Sequence, residues 1–148
     1  MKNKVIRLLV IIATILIIID QASKILVTNI LKEESIGNEN FGIEITSNTG
    51  MAFGFNDGNG KNIFLTICIL AIIASFIKNQ LERIDTKTTI ALSLAISGGI
   101  SNLIDRIFRG GVFDFIRVFT ITFNLADILI VLGWILLIVF LIDYSRKN

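Results

Sequence analysis

The chain has 148 residues, 53% hydrophobic and only 18% charged, with a mean hydropathy of +0.78 and a formal net charge of +2. A soluble domain carries about 25% charged residues, so an ordinary water-facing surface is excluded, and so small a net charge on so apolar a chain gives no indication of nucleic acid. With no His and a single Cys, a His-containing zinc site, Ser-His-Asp or Cys-His chemistry, His-ligated haem and a disulfide framework are also excluded.

Four apolar runs predict one integral membrane domain over residues 1–148, a membrane all-α four-helix transmembrane bundle with spans at about 5–27, 63–77, 88–104 and 125–142. The opening MKNKVIRLLVIIATILIII has the basic start and apolar run of a signal peptide, and Ala22 and Ser23 are small enough for a cleavage site. Asp20 and Lys24 flank that site and three more spans follow, so the segment is read as a retained first helix. Those two residues stand one turn apart on one face near its outer end.

Between the first two spans, Phe41, Ile43 and Ile45 alternate with polar residues, Asn48-Thr49-Gly50 makes a bend, and Gly54 punctuates the run. This predicts a strand or hairpin within residues 41–55. In the second span Cys68 is expected to be inert. In the third, Gly98 and Gly99 predict close helix packing, and Asn102, Asp105 and Arg106 share a face at its end. Beyond it lies Asp114, between aromatics and with no helix to cap. Residues 117–123 alternate again, with Phe119, Ile121 and Phe123 on one face. The two β-like pieces predict a small sheet on the outer membrane surface. The fourth span opens on Asn124-Leu-Ala-Asp127, which has the spacing of a helix cap, and Trp134 is expected to pack in the bundle.

Basic residues set the orientation. Lys2, Lys4, Arg7, Lys78, Arg83, Lys87, Arg146 and Lys147 fall on one side; Lys24, Lys32, Lys61, Arg106, Arg109 and Arg117 fall on the other, where five acids from Glu33 to Asp57 offset them. Both termini are therefore expected in the cytoplasm. Asp20, Lys24, Asn102, Asp105, Arg106, Asp114, Asn124 and Asp127 then all arrive at one depth on the outer side.

Charge inside a span is expensive and marks a functional site by default. Four carboxylates (Asp20, Asp105, Asp114, Asp127) face two cations (Lys24, Arg106). At least one acid is left without a cation, and two carboxyls sharing a proton can activate water and protonate a leaving amine. Simpler readings stand beside this one: helix capping for Asn124 and Asp127, and a structural ion pair for Asp20 and Lys24. A membrane-embedded binding or proton/cation-coupled transport protein is the alternative from another class. Magnesium or manganese on Asp105, Asp114 and Asp127 is open chemically, yet no phosphate-handling motif accompanies them, and no metal or other cofactor is expected.

DQASK (Asp20 to Lys24), SNTGMAFGF (Ser47 to Phe55), GGISNLIDR (Gly98 to Arg106), GGVFDFI (Gly110 to Ile116) and FNLAD (Phe123 to Asp127) follow in this order. Together they resemble lipoprotein signal peptidase, also called signal peptidase II or prolipoprotein signal peptidase. The resemblance implies a multi-pass aspartyl peptidase of the bacterial inner membrane with an extracytoplasmic β-cradle, which cleaves a prolipoprotein before a diacylglyceryl-modified Cys. It places the catalytic pair on Asp114 and Asp127. Asn48, Asn102 and Arg106 match positions that hold the substrate or the peptide antibiotic globomycin. Asp20, Lys24, Asp105, Asn124 and Gly50 are implied in support, and a monomer in contact with membrane lipid is expected. The chain departs from the family pattern in having only 12 residues between the two acids and no Pro before FNLAD, which puts in doubt the loop shape and not the pair.

Overall fold

A computed structural model describes residues 2–32, 34–50, 59–81 and 84–147, with the side chains of residues 2, 59, 141, 144, 145 and 147 outside that description. Residues 51–55 of SNTGMAFGF, Gly54 among them, lie outside the described residues, as do Glu33, Asp57 and Arg83. The described residues form four helices, α1 (Lys2–Leu31), α2 (Asn59–Gln80), α3 (Thr86–Phe108) and α4 (Leu125–Lys147). They also form four strands: β1 (Ile36–Gly37), β2 (Phe41–Asn48), β3 (Val112–Val118) and β4 (Ile121–Phe123).

Each helix runs beyond the apolar run that predicted it, because polar residues at a membrane boundary continue a helix without breaking its hydrogen bonds. Three have stretches long and apolar enough to cross a membrane: Asn3–Leu31, Gly60–Gln80 and Thr86–Arg109. In α4 the described apolar stretch is the shorter Leu125–Phe140. Half of the most apolar window in α3 is buried, against 11% in α1 and α2, so α3 is the hub on which α1 and α4 pack. Asp85 starts α3 as its N-cap, accepting the Thr88 N–H at 2.8 Å. The helix stops at Arg109, and Gly110 follows with φ +78, the left-handed turn that glycine makes without steric cost.

Small residues allow close approach at two levels. A Cβ on Gly133 would lie 2.6 Å from Ala95 N and 2.8 Å from Ala91 O, so α3 and α4 touch backbone to backbone there. A Cβ on Gly98 would strike the Ala126 carbonyl and lie 2.7 Å from Ile130 Cγ1. Gly99 instead faces the Leu70 side chain on α2. Packing is thus the role of the glycine pair, as the sequence suggests.

The bundle has two kinds of interior. At one end Ile73, Ile84, Ala91, Leu92 and Leu137 form an apolar core, joined by Val5 and Leu9. Toward the sheet the buried residues are polar or charged: Asp20, Lys24, Ser101, Asn102, Asp105 and Asn124. Large apolar side chains face outward all round, among them Ile15, Phe64, Ile72, Val131 and Ile138, as a lipid-facing surface requires. Trp134 belongs with them. It is 42% exposed, so its expected place in the bundle interior is corrected: α4 is apolar on every side, and composition does not reveal which side faces in.

The sheet is antiparallel in the order β1-β2-β3-β4. Its register pairs Phe41 with Val118 and Ile43 with Ile116, then Thr46 with Asp114, so three steps along β2 match two along β3. This bulge bends the strand where the ladder reaches Asp114. Residues 117–123 are not one strand. The chain turns at Phe119, whose φ is +53, and β4 folds back with Val118 opposite Ile121. Alternation of apolar and polar residues continues straight through the turn, and no Gly or Pro marks it.

Candidate active site

Asp114 is held at the centre of β3 and is 1% exposed. Its Oδ2 accepts from Asn48 Nδ2 at 3.1 Å and its Oδ1 from Asn124 Nδ2 at 2.6 Å. Burial pushes this carboxyl up from 3.8 to about 6. The Asn48 hydrogen bond opposes the rise, the charge of Asp127 adds to it, and Asn124 and Lys24 oppose it more weakly.

Asn48 is oriented by its own loop. Its Oδ1 accepts the Gly50 N–H at 3.0 Å, an Asx turn that explains the expected bend and leaves the NH2 free to reach Asp114. The buried Gly50 passes its carbonyl to Arg106 Nη2 at 3.2 Å, so the arginine closes the turn from α3. The carboxylates whose charge acts on Arg106 are those of Asp127, Asp114 and Asp105.

Asp127 and Asn124 form the reciprocal cap that their spacing suggests: the Asp127 N–H donates to Asn124 Oδ1 at 3.0 Å, and Asp127 Oδ2 accepts the Asn124 N–H at 3.1 Å. Asp127 Oδ1 also accepts from Asn102 Nδ2 at 2.8 Å. Asn124 is fully buried, and its NH2 donates to Asp114 and, at 3.3 Å, to Asn102 Oδ1. Capping and site-building are therefore one arrangement, because the residue that caps α4 also joins the two acids.

Beneath this lies a closed ionic cluster. Lys24 Nζ reaches Asp20 Oδ2 and Asp105 Oδ2, each at 2.7 Å, and donates to Asn102 Oδ1 at 3.2 Å. Its three N–H groups are thereby used. Asn102 accepts from Lys24 and Asn124 on one side, which turns its NH2 toward Asp127. Asp20 accepts from Ser101 Oγ at 2.6 Å and from the Ala126 N–H at 2.8 Å. Asp105 also accepts from Gln21 Nε2 at 2.9 Å and pairs with Arg109.

The structure brings all ten sequence-predicted residues together: Asp20, Lys24, Asn48, Gly50, Asn102, Asp105, Arg106, Asp114, Asn124 and Asp127. The tally of two cations needs one correction, since Arg109 is a third. With it, Asp20, Lys24, Asp105 and Arg109 neutralise one another, and Arg106 is left facing Asp114 and Asp127. Sequence reasoning gave no site role to Gln21 or Ser101. Ser101, Asp105 and Arg109 are spaced by four on α3, a stripe legible from sequence. Among the described residues no group of three or more metal-ligating side chains is placed to hold an ion.

A family model described as Signal peptidase (SPase) II matches residues 12–143. A lipoprotein signal peptidase of Clostridioides difficile (strain 630) is 33% identical over 147 residues, covering 95% of this chain and 99% of that protein. One of Borrelia hermsii (strain HS1 / DAH) is 40% identical over 157 residues, covering 90% and 88%. Two solved structures are described as bacterial membrane enzymes determined by the in meso method, at 2.3 Å and 1.9 Å resolution. They match with TM-scores of 0.80 and 0.76, each at 30% identity, covering 95% and 90% of this chain and 91% of theirs.

Proposed function

The chain belongs to the signal peptidase II family, and we propose that it is an aspartyl endopeptidase that removes the signal peptide from diacylglyceryl-modified prolipoproteins, cutting just before the lipidated Cys. The observation that carries this reading is the pair of acids joined through Asn124, with one cation beside them and a separate, self-neutralised cluster below. Two carboxyls and one Arg carry a net charge of −1, which a single shared proton removes. That is the state an aspartyl hydrolase uses.

In the mechanism, Asp114 carries the proton. It is the more deeply buried acid, and burial favours its neutral form. Asp127, at the positive end of α4 and accepting from Asn102 and the Asn124 backbone, serves as base and takes a proton from water. The water oxygen attacks the scissile carbonyl while Asp114 donates to the carbonyl oxygen. Collapse of the tetrahedral intermediate returns that proton to Asp114, and Asp127 passes its own to the leaving amine. Arg106, Asn48 and Asn102 hold substrate carbonyls or the lipid ester, and globomycin would occupy the same groups.

The family and the apolar helices support a bacterial membrane protein. We place it in the cytoplasmic membrane as a monomeric, multi-pass single domain with four spans, both termini cytoplasmic and the acids on the outer side. The apolar core then lies at the cytoplasmic end, and the sheet rests on the outer surface beside lipid. Clustering of the carboxylates at one end gives no support to a proton or cation path.

The test is a gel-shift assay with purified protein in detergent and a diacylglyceryl-modified prolipoprotein. Cleavage blocked by globomycin and absent from Asp114→Asn and Asp127→Asn supports the reading. A folded protein that leaves the substrate intact overturns it.

A further inference from the structure

Asn62 is the one fully buried residue among positions 60–66, at 2% exposure, in a helix whose first two turns otherwise face outward or lie half-buried. Its Nδ2 donates to the Thr49 carbonyl at 3.0 Å, and its Oδ1 has no hydrogen-bond partner among the described residues. The orientation of the amide is fixed by chemistry. Thr49 O can only accept, so the NH2 must face it and the oxygen is the open atom. Thr49 stands between Asn48, which donates to Asp114, and Gly50, which accepts from Arg106. An open acceptor is therefore built against the turn that orients one acid and anchors the cation.

A buried amide oxygen without a donor destabilises the fold and calls for an explanation. Helix capping supplies none, since Asn62 is the fourth residue of α2 and its side-chain oxygen accepts from no N–H of the first turn. Nor does local hydrogen bonding, because Thr66 Oγ1 donates to the backbone carbonyl of Asn62 and leaves its side chain untouched. The missing partner must be a donor. A peptide substrate carries one on nearly every residue.

We propose, resting on the peptidase reading above, that Asn62 binds the substrate: its amide nitrogen fixes the Asn48–Gly50 turn, and its oxygen accepts one backbone N–H of the peptide lying beside the acids. In an extended peptide, successive N–H groups point to alternate sides. A single fixed acceptor therefore engages one amide and sets the register of the scissile bond against Asp114 and Asp127. The contact reads backbone rather than side chain, so it suits an enzyme acting on many signal sequences.

The experiment uses the purified full chain in detergent with diacylglyceryl-modified peptides, each N-methylated at one amide on either side of the scissile bond. Values of kcat and KM are measured for the unaltered enzyme, Asn62→Leu and Asn62→Asp. With the unaltered enzyme, one methylated position loses about tenfold in kcat/KM through the lost hydrogen bond. Asn62→Leu raises KM for the unmethylated peptide and erases that penalty. Asn62→Asp keeps an acceptor oxygen and the penalty, but loses the donor to Thr49 and falls in kcat. Equal penalties at every position in the unaltered enzyme and Asn62→Leu would overturn the proposal while leaving the peptidase standing. If Asn62→Leu does not fold, Asn62→Ala makes the same comparison. No cleavage by the folded, unaltered enzyme would overturn both.

Discussion

Asp20 and Ala126 belong to helices far apart in sequence, yet the Asp20 carboxylate accepts the Ala126 N–H at 2.8 Å. Ala126 lies in the first turn of α4, directly before Asp127. A carboxylate from α1 thus supplements the helix's own cap and fixes the height at which Asp127 stands, while its other oxygen is committed to Lys24 and Ser101.

Asp20→Ala should therefore damage both stability and rate. It leaves Lys24 with Asp105 as its one remaining carboxylate and opens one end of α4. Removing one partner of a buried ion pair costs about 3–5 kcal/mol. Thermal unfolding in detergent should show the loss, and Asp20→Asn, which preserves shape and an acceptor oxygen, should recover part of the cleavage rate. Equal rates for the Ala variant and the unaltered enzyme would remove Asp20 from any positioning role.

Asp114→Asn and Asp127→Asn should each lower kcat by roughly 10²–10⁴-fold, the range of general acid–base catalysis. The double variant should be little worse than either single one, because the two acids act as a unit. Single-turnover cleavage measures all three. Multiplicative losses would mean that the acids act independently.

The pH dependence follows from the raised Asp114 carboxyl. The proton it donates is lost as pH rises through about 6, so kcat/KM should fall roughly tenfold per pH unit on the alkaline side. Asn48 holds this value down; Asn48→Ala should therefore shift the alkaline limb upward. The same group affects stability. Its folded-state value lies above 3.8, so its contribution is complete below pH 3.8 and is lost as pH climbs through about 6. Melting curves for the unaltered enzyme should decline across that window relative to Asp114→Asn.

Gly98→Ala should separate α3 from α4 where the acids depend on that contact. The new methyl would meet the Ala126 carbonyl, which belongs to backbone and cannot rotate away. Overpacking of this kind costs about 1–3 kcal/mol. Because the displaced turn carries Asp127, kcat should fall while the protein still folds. Gly99→Ala meets only the flexible tip of Leu70 and should be nearly silent in the same assay.

The convergence of Asp20, Asp105 and Asp127 was legible because each lies near the end of a recognisable apolar run and alternating helix direction brings those ends to one side, with Asp114 in the connection between two of them. The glycine pair was legible for a similar reason, since small residues in an apolar helix have few other uses. The β3–β4 hairpin was not. Its turn is made by Phe119 and Thr120, residues that read equally well as strand. Asn62 was invisible because α2 is apolar nearly all round and no periodicity marks its inner face. Arg109 was counted only for orientation; its pairing with Asp105 follows from a four-residue spacing that the tally of charges did not use.

The two acids are joined by a hairpin, and this makes the chain selectively tolerant of added length. Ladder contacts tie Ile116 to Phe123 and Val118 to Ile121, so the separation of Asp114 from Asn124 and Asp127 is set below the turn and does not depend on how far the hairpin extends. Residues added at Phe119 and Thr120 would lengthen an exposed tip and leave the acids where they are. A single residue added between Asp114 and Val118 would slip the register and send alternate side chains to the opposite face. The hairpin can therefore vary in length at its tip while Asp114, Asn124 and Asp127 keep their mutual spacing.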